Sequence, residues 1–283
     1  MSQHMKGLLI TILGVTLLSP DALLVRLIAG DEWTLLFWRG LLFAIGISLL
    51  MFIFYRKQTL QQFTKIGKRG LLIAVIFACS TILFVIGLQY TDIANVLVII
   101  STSPVFAAIF SWIFLHEKTH LRTWITMMII IIAVATIMSD SLGKGSLIGD
   151  FCALGNAILI AATLTITRQA KAINMIPSMA ISGIIISMIA YYFAPSLYIE
   201  NSAVPYLLVL SVILTLAFAL LTLGPRYISS AEVGLLMPLE TLFGILLAWW
   251  WLGEIPSNYA LLGGAVIIFS LSIHSFLSLK KTS

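Results

Sequence analysis

The chain has 283 residues, 60% of them hydrophobic, with 16 basic and 11 acidic side chains and a formal net charge of +5. A soluble domain draws about a quarter of its residues from the charged types; at 10% the surface of a soluble protein would carry apolar patches of the kind that aggregate. A soluble globular enzyme, a disordered chain, collagen and a disulfide scaffold are thereby excluded, and the composition fits a chain whose solvent is lipid.

Crossing about 30 Å of hydrocarbon takes about 20 apolar residues per helix. Residues 7–29, 34–54, 70–90, 94–115, 122–138, 148–167, 175–194, 205–224, 231–252 and 258–279 meet or approach that length. The first span has Lys6 ahead of its apolar run. Its length, the lack of an A-x-A site after it and the interruption at Pro20-Asp21 argue against a cleaved signal peptide. The second span carries Arg39 five residues in, and the fourth carries Pro104. In the fifth, the run Met127 to Ala135 does not alternate in polarity, as a β-barrel strand would. The sixth span opens on Gly149-Asp150, and the ninth holds Pro238 and, near its middle, Glu240. The expected fold is an all-α integral membrane bundle of ten transmembrane helices.

Basic residues orient such a bundle. With the N-terminus in the cytoplasm, the cytoplasmic ends hold Lys6, Arg56, Lys57, Lys65, Lys68, Arg69, Lys118, Arg122, Arg168, Lys171, Arg226, Lys280 and Lys281, and the outer side only Arg26, Arg39 and Lys144. Both termini are then cytoplasmic, and the basic excess is a topology signal that needs no nucleic-acid partner. Trp33, Trp38, Trp112, Trp124 and Trp249-Trp250-Trp251 fall near span ends, as an aromatic belt does. Cys79 and Cys152 lie inside spans and read as buried small hydrophobes, neither a metal site nor a disulfide framework.

The two halves resemble each other. At an offset of 137, Phe106 falls on Phe243, Trp112 on Trp249 and Glu117 on Glu254. At 142 Gly7 falls on Gly149 and Arg26 on Arg168, and at 143 Arg39-Gly40 falls on Ser182-Gly183. Five spans per half is an odd number, so the second half enters the membrane upside down. Residues 1–138 and 146–279 are expected to be inverted five-helix repeats, an organisation found in many secondary transporters.

With these residues in view, the chain resembles the drug/metabolite transporter superfamily in its EamA-type branch. The resemblance rests on the ten spans, Pro104…Leu115-x-Glu117, Leu239-Glu240…Trp251-Leu252-Gly253-Glu254, Gly149-Asp150 and Arg39. It covers essentially the whole chain. Many relatives have proline after the ninth-span glutamate, where this chain has Thr241, with Pro238 three residues earlier. The resemblance implies an inner-membrane carrier of small metabolites, often an exporter, with a central cavity between the halves.

Six charged residues fall within the spans: Asp21, Arg26, Arg39, Asp150, Glu232 and Glu240. Arg26, Asp150 and Glu232 sit at span ends, where snorkelling reaches water. The other three are deeper, and a charge at mid-membrane costs at least about 2.5 kcal/mol, so each must face a wet cavity, find a partner or be neutralised. Asp21 and Arg39 lie at overlapping depths on consecutive helices. They either pair and fix the two helices, or take part in binding or gating; a free Arg39 would hold a carboxylate or phosphate in its planar fork. Glu240 suits proton coupling or an amine of the cargo, against the plainer reading of a neutral acid bonded to a neighbouring helix. Pro104 and Pro238 are expected to kink their helices and act as hinges, freeing the carbonyls of Ile100 and Gly234. Ser101, Asn156 and Thr163 are candidate hydrogen-bonders of the cavity.

No G-x-x-x-x-G-K-[ST] loop is present, so the chain has no ATPase motor of that type. No catalytic constellation, metal site or cofactor is expected. The expected function is secondary transport by alternating access, as an exporter of amino acids or related amphipathic metabolites, with a small-molecule substrate and the lipid bilayer as partners, as monomer or homodimer. The alternatives are an uptake or exchange carrier for another metabolite, and a lipid-modifying membrane enzyme, whose clustered acids the sequence lacks.

Overall fold

The computed structural model describes residues 3–28, 30–115, 121–140, 146–169, 174–223, 227 and 230–279. Among the described residues the regular structure is helical throughout. Lipid dictates this, because a spanning backbone must satisfy its own N–H and C=O groups.

The first span comprises α1 (Gln3–Leu18) and α2 (Asp21–Ile28), and the second is α3 (Glu32–Tyr55). A short connecting helix, α4 (Thr59–Lys65), leads to the third span, α5 (Gly67–Tyr90). The fourth comprises α6 (Ile93–Ile100) and α7 (Ser103–Leu115). Then follow α8 (Leu121–Asp140), α9 (Leu147–Gln169), α10 (Ile176–Phe193), α11 (Val204–Leu223), α12 (Ser230–Leu252) and α13 (Asn258–Leu279). Over the described residues seven segments are long and apolar enough to cross a membrane, and the shorter apolar helices Trp124–Ser139, Leu239–Leu252 and Asn258–Ser270 fall on the fifth, ninth and tenth expected spans. Exposure runs opposite to that of a soluble protein. Phe54, Tyr192, Trp250 and Phe269 point outward, while Thr11, Ser80, Asn95, Asn156 and Ser182 are buried.

The most extensive helix contacts are α3 with α10, α5 with α9, α1 with α11, α5 with α10, α8 with α13 and α7 with α9, and α12 also packs on α6. The α3–α10 crossing is made by glycine. A Cβ on Gly40 would lie 2.7 Å from the Gly183 carbonyl oxygen, and a Cβ on Gly183 would lie 2.6 Å from that of Gly40. The flanks are reciprocal as well: Ser187 stands by Gly40 and Ala44 by Gly183. Small residues let two helix backbones approach closely where no hydrophobic force between helices operates.

Two spans are broken. At the first break the Ser19 N–H and hydroxyl both bond the Val15 carbonyl, at 3.1 and 3.0 Å. Pro20, with no N–H to give, opens α2, and its carbonyl accepts from Leu24 at 2.9 Å. At the second, Ser101 Oγ donates to Val98 O and Thr102 Oγ1 to Ile99 O, each at 2.6 Å. Short hydroxyl side chains thus compete with the backbone for helix carbonyls. Pro104 is therefore placed differently from the mid-helix kink that the sequence suggested: it lies in the first turn of α7, where proline is tolerated because the first-turn N–H groups lack helical partners. The counterpart helices in the internal alignment, α9 and α12, are continuous. The side chains of Pro238 and Glu232 lie outside the described residues, as does Glu117. Cys79 corrects the expectation of burial, since it is exposed on α5, while Cys152 is partly buried.

Candidate functional site

The three deep charges converge where the broken helices meet α12. Asp21 stands in the first turn of α2, a position that favours a carboxylate because the first N–H groups of a helix point at it. Across from it, Arg39 of α3 donates from Nη1 to Asp21 Oδ1 at 2.5 Å and from Nη2 to Oδ2 at 2.8 Å. This is a fork-to-carboxylate pair of the kind arginine forms best. Asp21 is 6% exposed and Arg39 5%. Arg39 Cζ also lies 5.5 Å from the centre of the Phe84 ring, on α5, a cation–π arrangement. Of the two readings offered by the sequence, the paired one is the geometry observed.

Glu240 is partly buried near the middle of α12. Helix α12 packs on α2, the half-helix that Asp21 opens. The next residue, Thr241, donates to Leu97 O at 3.4 Å. One turn from Glu240, a Cβ on Gly244 would lie 3.4 Å from Ser19 O and 2.5 Å from Leu97 Cδ1. The stretch from Glu240 to Gly244 therefore touches the α1–α2 break on one side and the last turn of α6 on the other. One turn along α3 from Arg39, Phe43 packs with Phe77 and Phe218, whose ring centres lie 6.5 and 5.6 Å away. The charged centre thus has an apolar, aromatic flank.

The remaining candidates are dispersed. Ser101 is turned back to Val98. Asn156, buried on α9, accepts a hydrogen bond from Ser80 of α5, which ties the third and sixth spans together. Thr163, also on α9, has a buried hydroxyl with no hydrogen-bond partner among the described residues.

A second polar cluster, at the end of the bundle that holds the α5–α6 turn, escaped the sequence reading. Arg26, in the last turn of α2, lies with Nε 3.2 Å from Glu254 Oε1 and donates from Nη2 to Thr91 O at 2.9 Å. Glu254 Oε2 accepts from the Ile93 N–H at 3.3 Å. Gly253 ends α12 with φ +69°, the left-handed turn that glycine supplies after a helix, and so sets the direction in which Glu254 leaves the helix. The hydroxyl of Thr91 donates to Asp150 Oδ1 at 2.9 Å. Asp150 is fully buried, which corrects the expectation that it reaches water at a span end. Arg26 is held in the cluster instead of merely snorkelling. The partners are far apart in the chain, so no local pattern announced them. The one available signal was Glu254 itself, in the Leu252-Gly253-Glu254 ending.

Comparison with known proteins places these features in a family. A model described as the EamA-like transporter family matches residues 5–139 and again 147–276. Solute carrier family 35 member G1 of Mus musculus is 31% identical over 183 residues, 58% of this chain, and the matched region spans 47% of that protein's length. The uncharacterized transporter YdfC of Bacillus subtilis (strain 168) is 25% identical over 240 residues, covering 79% of this chain and 76% of that protein. A crystal structure superimposes over 99% of this chain and 100% of its own, with a TM-score of 0.67 at 14% identity, a likeness of fold alone.

Proposed function

Because the chain belongs to the EamA-like transporter family, and is thus a multi-pass membrane transporter of small molecules, we propose that it is an alternating-access secondary carrier exporting amino acids or related amphipathic metabolites. Residues 1–138 and 146–279 form its two inverted five-helix repeats in this reading. It resides in the inner membrane with both termini cytoplasmic, as a monomer or homodimer.

The observation that carries the reading is the meeting of Asp21, Arg39 and Glu240 at the two helix breaks. A zwitterion can compete there on its own terms. Its carboxylate matches the Arg39 fork that Asp21 occupies in the closed pair, and its amine suits the carboxylate of Glu240. Its side chain finds the rings of Phe84 and Phe43. Arg39 and Glu240 then each keep an opposite charge, which is the condition for charges at this depth, and the released Asp21 stays in the first turn of α2, a position that favours a carboxylate. Glu240 is the coupling group: protonation lets it cross neutral, and deprotonation engages the cargo amine. Ser19-Pro20, Ser101–Pro104 and Pro238 serve as the hinges, and Thr163 and Asn156 support the cargo from α9.

The test is transport into proteoliposomes of a labelled amino-acid panel with an imposed pH gradient, comparing wild type with Glu240→Gln. The expected result is loss of gradient-driven accumulation in the variant, with weaker cargo binding and a residual exchange that no longer depends on pH. Unchanged rates and pH dependence would remove Glu240 from the mechanism.

A further inference from the structure

The half-helix α2 carries a charge at each end, and both are engaged. Asp21 is bonded to Arg39 in the charged centre, and Arg26, five residues on, is bonded to Thr91 O and paired with Glu254. We propose that α2 is a gate: hinged at Ser19-Pro20, it closes the end of the carrier at the α5–α6 turn by latching Arg26 onto Glu254 and Thr91.

Three observations support the latch. It joins three separate stretches of chain: α2, the α5–α6 turn and the α12–α13 link. Both oxygens of Glu254 are engaged, one paired with Arg26 and the other accepting from the Ile93 N–H. Beneath it the packing is tight. Glu254 shares a narrow cleft with Asp92, Ile245, Ala248 and Pro256, where Ala248 is 2% exposed, and Ile93, whose N–H it accepts, is fully buried. Arg26 and Glu254 are themselves 26% and 28% exposed, so the latch sits at the wet rim of a dry seal. An ion pair at such a rim is weak enough to open during a transport cycle. Because Asp21 and Arg26 share one short rigid helix, a change of partner at Arg39 tilts α2 and strains the latch, which relates the charged centre to the gate.

This inference rests on the transporter reading, but its test needs no cargo. Ala248 is buried under the latch. In a Cys79→Ala, Cys152→Ala background, an Ala248→Cys reporter in the purified full-length protein is treated with a water-soluble maleimide, and the rate of labelling is measured. The expected result is slow labelling in the otherwise unchanged chain and a rate about tenfold higher with Arg26→Gln or Glu254→Gln, from a larger open population. Glu254→Gln retains an oxygen for the Ile93 N–H, so it carries the test alone if Arg26→Gln fails to fold. Equal labelling rates in variants that elute as a single species with unchanged thermal stability would overturn the gate. Faster labelling in a protein that moves none of the amino acids tested would uphold the gate and count against the cargo assignment.

Discussion

Removing one member of the Asp21–Arg39 pair is expected to damage the protein more than removing both. Both side chains are nearly out of reach of solvent, at 6% and 5% exposed, and each satisfies the other through two hydrogen bonds. Asp21→Asn leaves a guanidinium that cannot lose its proton, facing a neutral amide. The Phe84 ring face offsets only about 0.5–2 kcal/mol of that. Breaking a buried pair from one side costs about 3–5 kcal/mol, and Asp21→Asn should fall in that range. Arg39→Met should cost less, because Asp21 stands in the first turn of α2, where the helix dipole favours a carboxylate. In the Asp21→Asn, Arg39→Met double variant no buried charge remains, so its loss should be smaller than the sum of the single losses by at least about 2 kcal/mol. Equilibrium unfolding in mixed micelles measures all four corners of the cycle. Losses that add within about 0.5 kcal/mol would refute the argument, since they would mean that the two charges do not depend on each other. Transport by the same variants separates two roles. A double variant that folds and still carries cargo makes the pair a brace; one that folds and carries nothing makes it part of the binding site.

Gly40→Ala and Gly183→Ala should each destabilise by about 1–3 kcal/mol, because the new methyl meets a backbone oxygen that has no rotamer with which to escape; thermal unfolding of the purified protein reads this, and a stability unchanged in both would refute the close crossing. Thr163→Val should be neutral or stabilising by up to about 1 kcal/mol, since it removes a buried hydroxyl that has no partner. A loss beyond that would reveal a hydrogen bond to Thr163. Transport lost while stability holds would assign its hydroxyl to the cargo.

Much of this architecture was legible from composition and span length. Each of the ten apolar stretches corresponds to a helix or a broken pair of helices, because lipid leaves the backbone so little choice. The deep charges were legible for the same reason: in a segment as apolar as the first span, a lone Asp21 must be explained, and Arg39 was the partner at matching depth. The breaks were less so. Proline alone suggested a kink, whereas the complete interruption depends on Ser19 and on Ser101 and Thr102 bonding back to carbonyls three or four residues behind, a signal carried by the hydroxyls that precede each proline. The Arg26–Glu254 cluster was not legible. A span-end arginine looks the same in sequence whether it reaches for water or for a glutamate more than two hundred residues away. Asp150 misled in the same way, because position near a span end says nothing about which helix covers it.

The crossing of α3 over α10 has a mechanical consequence. Elsewhere helices interlock through side chains, and sliding or turning one against the other must lift those side chains out of their grooves. Where Gly40 meets Gly183 the bearing surfaces are bare backbone, with Ala44, Ser187 and Ile186 next to them. Such a joint fixes the separation of the two backbones, while the Ser187 hydroxyl bonded to Phe37 O at 3.1 Å and the Trp33–Phe193 and Phe37–Tyr191 ring pairs flank it along the same two helices. In the proposed alternating-access cycle, any rocking of one half on the other must therefore keep this contact as its fixed point.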